Sequence, residues 1–167
     1  MGFSDFHGNT ETVHRLRDML ARNHFPHAVI LSGARGSGKY TLATMLAQAL
    51  NCLAPTVTDG LPDFCGQCAN CRRIAQAADL DVRFAEAAEA REGLRETDKK
   101  ETRLFVQTHP DVLVIPPDPP QMMINVVLVR HVIGNIYFRP AVARERVYVF
   151  TDSAFMKEAA NSLLKVL

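Results

Sequence analysis

Gly33-Ala34-Arg35-Gly36-Ser37-Gly38-Lys39 follows the apolar run Ala28-Val29-Ile30-Leu31 and opens a stretch with Leu42, Met45, Leu46 and Leu50 on one helical face. The segment thus predicts a buried strand at 28–31, a glycine-rich turn, and a helix from Lys39 to Leu50. The turn matches the first seven positions of G-x-x-x-x-G-K-[ST], in the strand-to-helix setting that gives the motif its meaning. Glycines allow successive backbone N–H groups to face phosphate oxygens. The helix N-terminus adds partial positive charge, and Lys39 adds a full one. A turn that binds nothing is the bland alternative, and Lys39 together with both flanking elements argues against it. The expected nucleotide-binding residues are Gly33, Arg35, Gly36, Ser37, Gly38, Lys39, Tyr40 and Thr41, with ATP as the candidate ligand.

The eighth position breaks the pattern. A short Ser or Thr hydroxyl normally ligates Mg²⁺ there, whereas this chain has Tyr40. Thr41 comes one residue later, about 100° further round the helix. A second departure lies at Val147-Tyr148-Val149-Phe150, a predicted strand followed by Thr151-Asp152. ATPases with this kind of loop place a Mg²⁺-holding Asp after such a strand, and many follow it with a Glu that polarises water. Thr151 occupies the first position and Asp152 the second. A shifted register would let Asp152 serve as the Mg²⁺ ligand. Taken at face value, two lost ligands imply poor Mg²⁺ dependence and weak or absent hydrolysis.

Cys52 ends the predicted helix, and Cys65, Cys68 and Cys71 follow as C-x2-C-x2-C. Four thiolates suffice for a closed, tetrahedral, structural Zn²⁺ site. The spacing resembles an iron–sulfur run, but the fourth cysteine lies upstream and no C-x3-C-P follows. Zinc is the expectation, with an iron–sulfur cluster or reduced free thiols as alternatives. Residues 51–75 show no apolar core of their own, so the metal is expected to hold this module together.

Composition narrows the class. The chain has 167 residues, 47% of them apolar, and a formal net charge of +1. That suits one α/β domain with a small attached module and gives no bulk attraction to DNA. The N-terminus lacks a basic region followed by an apolar one, so no secretory signal is read there. Apolar runs such as Val126 to Val129 are far too short to cross a bilayer. A soluble, cytoplasmic protein without a membrane contact is expected.

Further elements are predicted from periodicity and stop signals. Val13, Leu16 and Leu20 mark a helix over about Asn9 to Asn23. Residues 78–103, rich in Ala, Glu and Arg, read as a solvated helical insertion with pairs such as Glu96 and Lys100. Val112 to Ile115 reads as a strand ended by a proline-rich loop through Pro120, and Asn125 to Tyr137 as a helix. Ser153 opens a last helix running to Leu167.

Together these segments resemble the AAA+ subunits of the bacterial clamp loader. The likeness rests on Phe6-His7-Gly8, similar to the family's motif beside the adenine, on His27-Ala28 before the glycine-rich turn, and on the four cysteines directly after the following helix. Thr108-His109-Pro110-Asp111 and Ala159-Ala160-Asn161-Ser162-Leu163-Leu164-Lys165 favour the delta-prime branch over gamma/tau. The resemblance implies an AAA+ domain, a parallel sheet flanked by helices, of which residues 1–167 are the N-terminal part. It implies strand order 5-1-4-3-2, so that the strands flanking 28–31 would lie beyond Leu167, as would the arginine finger, the sensors and the oligomerising domain. Direct pairing of 28–31 with 147–150 is expected to close that gap, with a strand borrowed from another copy or two loosely joined subdomains as the alternatives.

The function so implied is that of a weakly or non-hydrolysing stator in the machine that loads the sliding clamp onto primed DNA. Its partners would be the gamma/tau and delta subunits and, through them, the clamp and primer-template DNA. It would be a component of a DNA polymerase (nucleotidyltransferase) holoenzyme with no polymerase site of its own. The alternatives are an active gamma/tau-like ATPase subunit and an unrelated ATPase. A DNA-reading zinc finger fits poorly, since no His pair follows the cysteines. His109, before Pro110, reads as a residue leading into a strand rather than as a ligand or base.

Overall fold

The computed structural model describes residues 2–102, 104–119 and 121–166, with the backbone alone at 100 and 101. The chain divides into two compact units, Met1–Ala78 with Ala143–Glu145, and Asp79–Val142 with Arg146–Leu167. Among the described residues no helix is long and apolar enough to cross a membrane.

The first unit is built around two helices, α1 (Thr10–Ala21) and α2 (Lys39–Asn51). The apolar faces read from the sequence are the buried ones: Val13 and Leu16 pack with Leu42, Met45 and Leu46. An Asp59-Gly60 turn, both residues at positive φ, joins β1 (Thr56–Thr58) to β2 (Leu61–Asp63) in an antiparallel hairpin. Such a dipeptide is the usual signal for a two-residue hairpin loop. A short helix, α3 (Ala69–Ala75), follows.

This hairpin corrects the expectation that residues 51–75 lack an apolar core. Phe64, 3% exposed, meets Phe3 edge to face at 5.4 Å, and Ile74 is 1% exposed. Arg17 of α1 is buried as well. It donates from Nε to the Pro62 carbonyl at 3.0 Å and from Nη2 to the carbonyls of both Leu61 and Thr58. The Asp63 carboxylate in turn accepts the backbone N–H groups of Phe3 and Phe64. The hairpin therefore has side-chain supports of its own.

Residues 28–31 also depart from expectation, because they form no strand and Ile30 is 92% exposed. A strand exists only by virtue of a ladder partner. The ladder of 147–150 runs to another segment, so the pairing expected with 28–31 is not formed.

The second unit opens with α4 (Leu80–Glu92) and α5 (Glu96–Glu101). No residue of α4 is buried, so this helix is solvated. Lys99 bridges Glu92 and Glu96, at 3.1 and 3.0 Å. The expected Glu96–Lys100 pair lies outside the described side chains, as Arg103 and Pro120 lie outside the described residues. Three strands follow: β3 (Val106–His109), β4 (Val112–Ile115) and, after α6 (Val126–Ile136), β5 (Val147–Phe150). The sheet is mixed rather than wholly parallel. β4 pairs with β5 in parallel, but β3 turns back onto β4 through Pro110-Asp111 and is antiparallel to it. α6 starts where Asn125 Oδ1 accepts the Leu128 N–H at 3.0 Å. The last helix, α7 (Lys157–Leu163), is shorter than expected. Residues 154–156 instead pair with Ile124, whose N–H reaches the Ala154 carbonyl at 2.7 Å.

All four residues of β4 are buried, and two of them, Leu113 and Ile115, form the second core with Ile124, Leu128, Val129, Val132 and Ala159. Ile115→Ala in this core should cost about 2–5 kcal/mol, by lost burial and the cavity left behind. The check is a lower denaturant midpoint at unchanged slope.

The Thr108–Asp111 segment proves to be a clamp. His109 Nδ1 accepts the Asp111 N–H at 3.1 Å. The buried Asp111 carboxylate accepts the N–H groups of Ala141 and Val142 at 2.7 and 2.8 Å, with Arg146 at 3.6 Å.

Candidate functional site

The glycine-rich loop sits at the start of α2. Gly38 caps the helix in the left-handed region, φ 77°, and its carbonyl accepts the Leu42 N–H at 2.8 Å. A β-carbon at Gly38 would lie 2.9 Å from the Phe6 ring, so both conformation and space require glycine here. Lys39 Nζ folds back into the loop, donating to the carbonyls of Gly33 at 3.0 Å and Ala34 at 2.6 Å. A phosphate oxygen reaching the loop would exchange neutral carbonyl acceptors for an anionic one, a stronger partner for an ammonium group.

Beside the loop is a cavity of about 400 Å³ bounded by Phe6, Asn9, Thr12, Leu31, Lys39 and Leu42. That is within the usual size of small-molecule pockets. Gly33, Arg35, Gly36 and Thr41 are exposed, while Ser37 is half-buried beside Lys39. Of the expected nucleotide-binding residues, Gly33, Ser37 and Lys39 line this cavity with Phe6, whereas Arg35, Gly36, Gly38 and Thr41 do not.

Tyr40 points elsewhere. Its hydroxyl donates to the carbonyl of Ala77, just beyond α3, and burial pushes its pKa up, so the phenol keeps its proton. The short hydroxyl usual at this position is replaced by a donor committed to a backbone partner.

Thr151 and Asp152 belong to the second unit. The Thr151 N–H continues the ladder to the Ile115 carbonyl at 3.1 Å, and Asp152 Oδ1 accepts the Ala154 N–H at 2.9 Å. Asp152 is exposed and serves a local turn.

The four cysteines do meet. Cys52 follows α2, Cys65 follows β2, Cys68 caps α3 and Cys71 lies in its first turn. Their sulfurs all lie within 4.8 Å of one another, with Cys52 and Cys65 at 3.5 Å. Disulfide-bonded sulfurs would be about 2 Å apart. Four thiolates around one ion at about 2.3 Å would be roughly 3.8 Å apart, so the spacing suits a single tetrahedral ion. A cluster of several irons would hold the thiolates farther apart.

Backbone N–H groups also favour thiolates here. Those of Gln67 and Cys68 draw the Cys65 thiol down. Burial opposes the same trend at Cys68, yet the N–H groups of Cys71 and Leu53 bring it to about 6. Burial pushes the Cys52 and Cys71 thiols up. A cation among the four would offset that desolvation.

Sequence reading missed the polar residues that brace this centre. Gln48 Nε2 donates to the Cys71 carbonyl, and Asn70 Nδ2 to the Asn51 carbonyl, both at 3.0 Å. Asn51 Oδ1 accepts the N–H groups of Arg144 and Glu145 at 3.1 and 2.9 Å. The one available signal was a polar residue, Gln48, at a position buried with Met45 and Leu46.

Comparison with known proteins covers nearly the whole chain. Residues 8–167 match the family described as DNA polymerase III, delta subunit. DNA polymerase III subunit tau/gamma of Haemophilus influenzae is 27% identical over 99% of this chain. Subunit tau of Escherichia coli is 28% identical, again over 99%. Subunit tau of Bacillus subtilis is 34% identical over 52% of the chain. The chain spans about a fifth of the first two relatives, 19% and 20% of their lengths.

Proposed function

Because the chain belongs to the DNA polymerase III delta subunit family, we propose that it is the nucleotide-binding part of a bacterial clamp-loader subunit. Within that machine it acts as a delta-prime-like stator that hydrolyses little or no ATP. Its partners are the gamma/tau and delta subunits and, through the assembly, the sliding clamp and primer-template DNA. The observation that carries this reading is Tyr40, whose hydroxyl is spent on the Ala77 carbonyl where a Mg²⁺ ligand would be needed. The Gly36 to Lys39 amides and the Lys39 ammonium would hold the phosphates of ATP, supplying electrostatic attraction. Cys52, Cys65, Cys68 and Cys71 would hold a structural Zn²⁺, with no open position for catalysis.

Co-purification of the full-length protein from its own cells tests the assembly role. Recovery with clamp-loader subunits supports it, and recovery without them refutes it. Nucleotide titration tests the site. ATP affinity should change less than about threefold with Mg²⁺, while Lys39→Ala should weaken it at least tenfold, the equivalent of about 1.4 kcal/mol. Tyr40→Thr alone should not create turnover. An active gamma/tau-like subunit is the second reading, favoured by the names of the relatives and by the intact Gly38-Lys39 pair. Strong Mg²⁺ enhancement with turnover would decide for it.

A further inference from the structure

α2 and α3 run side by side in opposite directions, tied at three levels. Asn70 bonds to the Asn51 carbonyl at the cysteine end, Gln48 to the Cys71 carbonyl one turn back, and Tyr40 to the Ala77 carbonyl at the far end. Tyr40 to Asn51 spans about 16 Å of helix. α3 is therefore a strut, with two of the four thiols at one end and the glycine-rich loop at the other.

Its anchorage differs at the two ends. Cys68 caps α3 and Cys71 lies in its first turn, so the four-sulfur centre fixes where the strut begins. At the other end Ala77 is 3% exposed, and its carbonyl receives the hydroxyl of the residue next to Lys39. Helices this short have little stability of their own.

We infer that Tyr40 is a positioning residue that couples occupancy of the four-cysteine centre to the conformation of the glycine-rich loop. An ion at the sulfurs holds α3 in place, and the Tyr40 bond passes that order to Gly38 and Lys39. By linkage, a phosphate ligand on the loop must strengthen retention of the ion by the same factor. The inference rests on the reading of the two sites as holding zinc and ATP.

The test uses the full-length protein and its Tyr40→Phe variant, which removes only the hydroxyl. In the wild type, ATP should tighten zinc binding, read by equilibrium competition with a chelator, at least about fivefold. Stripping zinc should speed deuterium uptake by the amides of residues 33–41. In Y40F, zinc content should stay at one per chain while ATP loses most of its effect on zinc affinity. Uptake at 33–41 should be raised even with zinc bound. A purely structural bond would lower the melting temperature and leave the ATP effect intact, and that result overturns the inference. If zinc and ATP both bind the wild type without affecting each other, the coupling alone is refuted. If either fails to bind, the site assignment falls with it.

Discussion

A strong chelator should remove one zinc per chain and melt α3, while the β1–β2 hairpin stays docked. The two halves of the cysteine-bearing segment are held by different forces. Residues 65–71 supply three sulfurs that converge with that of Cys52 within 4.8 Å, and burial pushes the Cys52 and Cys71 thiols up. Without an ion those groups gain protons and lose their common partner. Structural zinc sites bind with about 10 kcal/mol or more, comparable to the whole stability of a small domain. The hairpin has its own supports in Phe64 on Phe3, in the three carbonyls on Arg17, and in Asp63 on the Phe3 N–H. Deuterium exchange after chelation should therefore show fast uptake over 65–78 and retained protection over 56–63. Cys71→Ser should reproduce this, with most of the zinc lost. Uniform unfolding would show that the side-chain supports are too weak, and absorbance from an iron–sulfur cluster would overturn the assignment of zinc.

The second large effect is expected at Asp111. Asp111→Ala should destabilise the second unit by about 3–5 kcal/mol, the usual cost of removing one partner of a buried charged network. The carboxylate accepts two backbone N–H groups and faces Arg146, which is itself mostly shielded from water. Its loss leaves both amides without their acceptor and takes the anionic partner from Arg146, whose terminal nitrogens keep only the carbonyls of Asn135 and Arg139. Asp111→Asn should cost less, since one oxygen remains to accept, but its NH₂ would face a donor. Melting of the two variants should rank wild type, Asn, Ala. Equal stability of all three would mean that the 139–146 segment is held by packing alone.

How much of this was legible depended on whether the cause was local. α2 was read almost to its last residue, because its apolar period and Gly38 are properties of the segment itself. β4 and β5 were read as printed in the sequence, each an apolar run bounded by turn residues. The run at 28–31 looks the same, yet forms no strand, because pairing is decided elsewhere in the chain. β3 was missed since Val106-Gln107-Thr108-His109 carries a weak pattern and a bulge, though the Pro110-Asp111 turn was a usable cue. The cysteine centre was legible from spacing. Arg17, Gln48 and Asn51 were not, because a polar side chain in a helix reads as solvated until its long-range partner is known.

The bond from Asn51 to Arg144 joins residues 93 positions apart. It bears on how the chain folds as it leaves the ribosome. Synthesis delivers residues 1–78 well before 143–145, which complete the same unit. Until they emerge, the Asn51 side-chain carbonyl waits for its donors. Closing so long a loop costs about 4 kcal/mol of chain entropy by itself, more than two ordinary hydrogen bonds return. The first unit can therefore be completed only after residues 143–145 have been made, although nearly all of it is synthesised first.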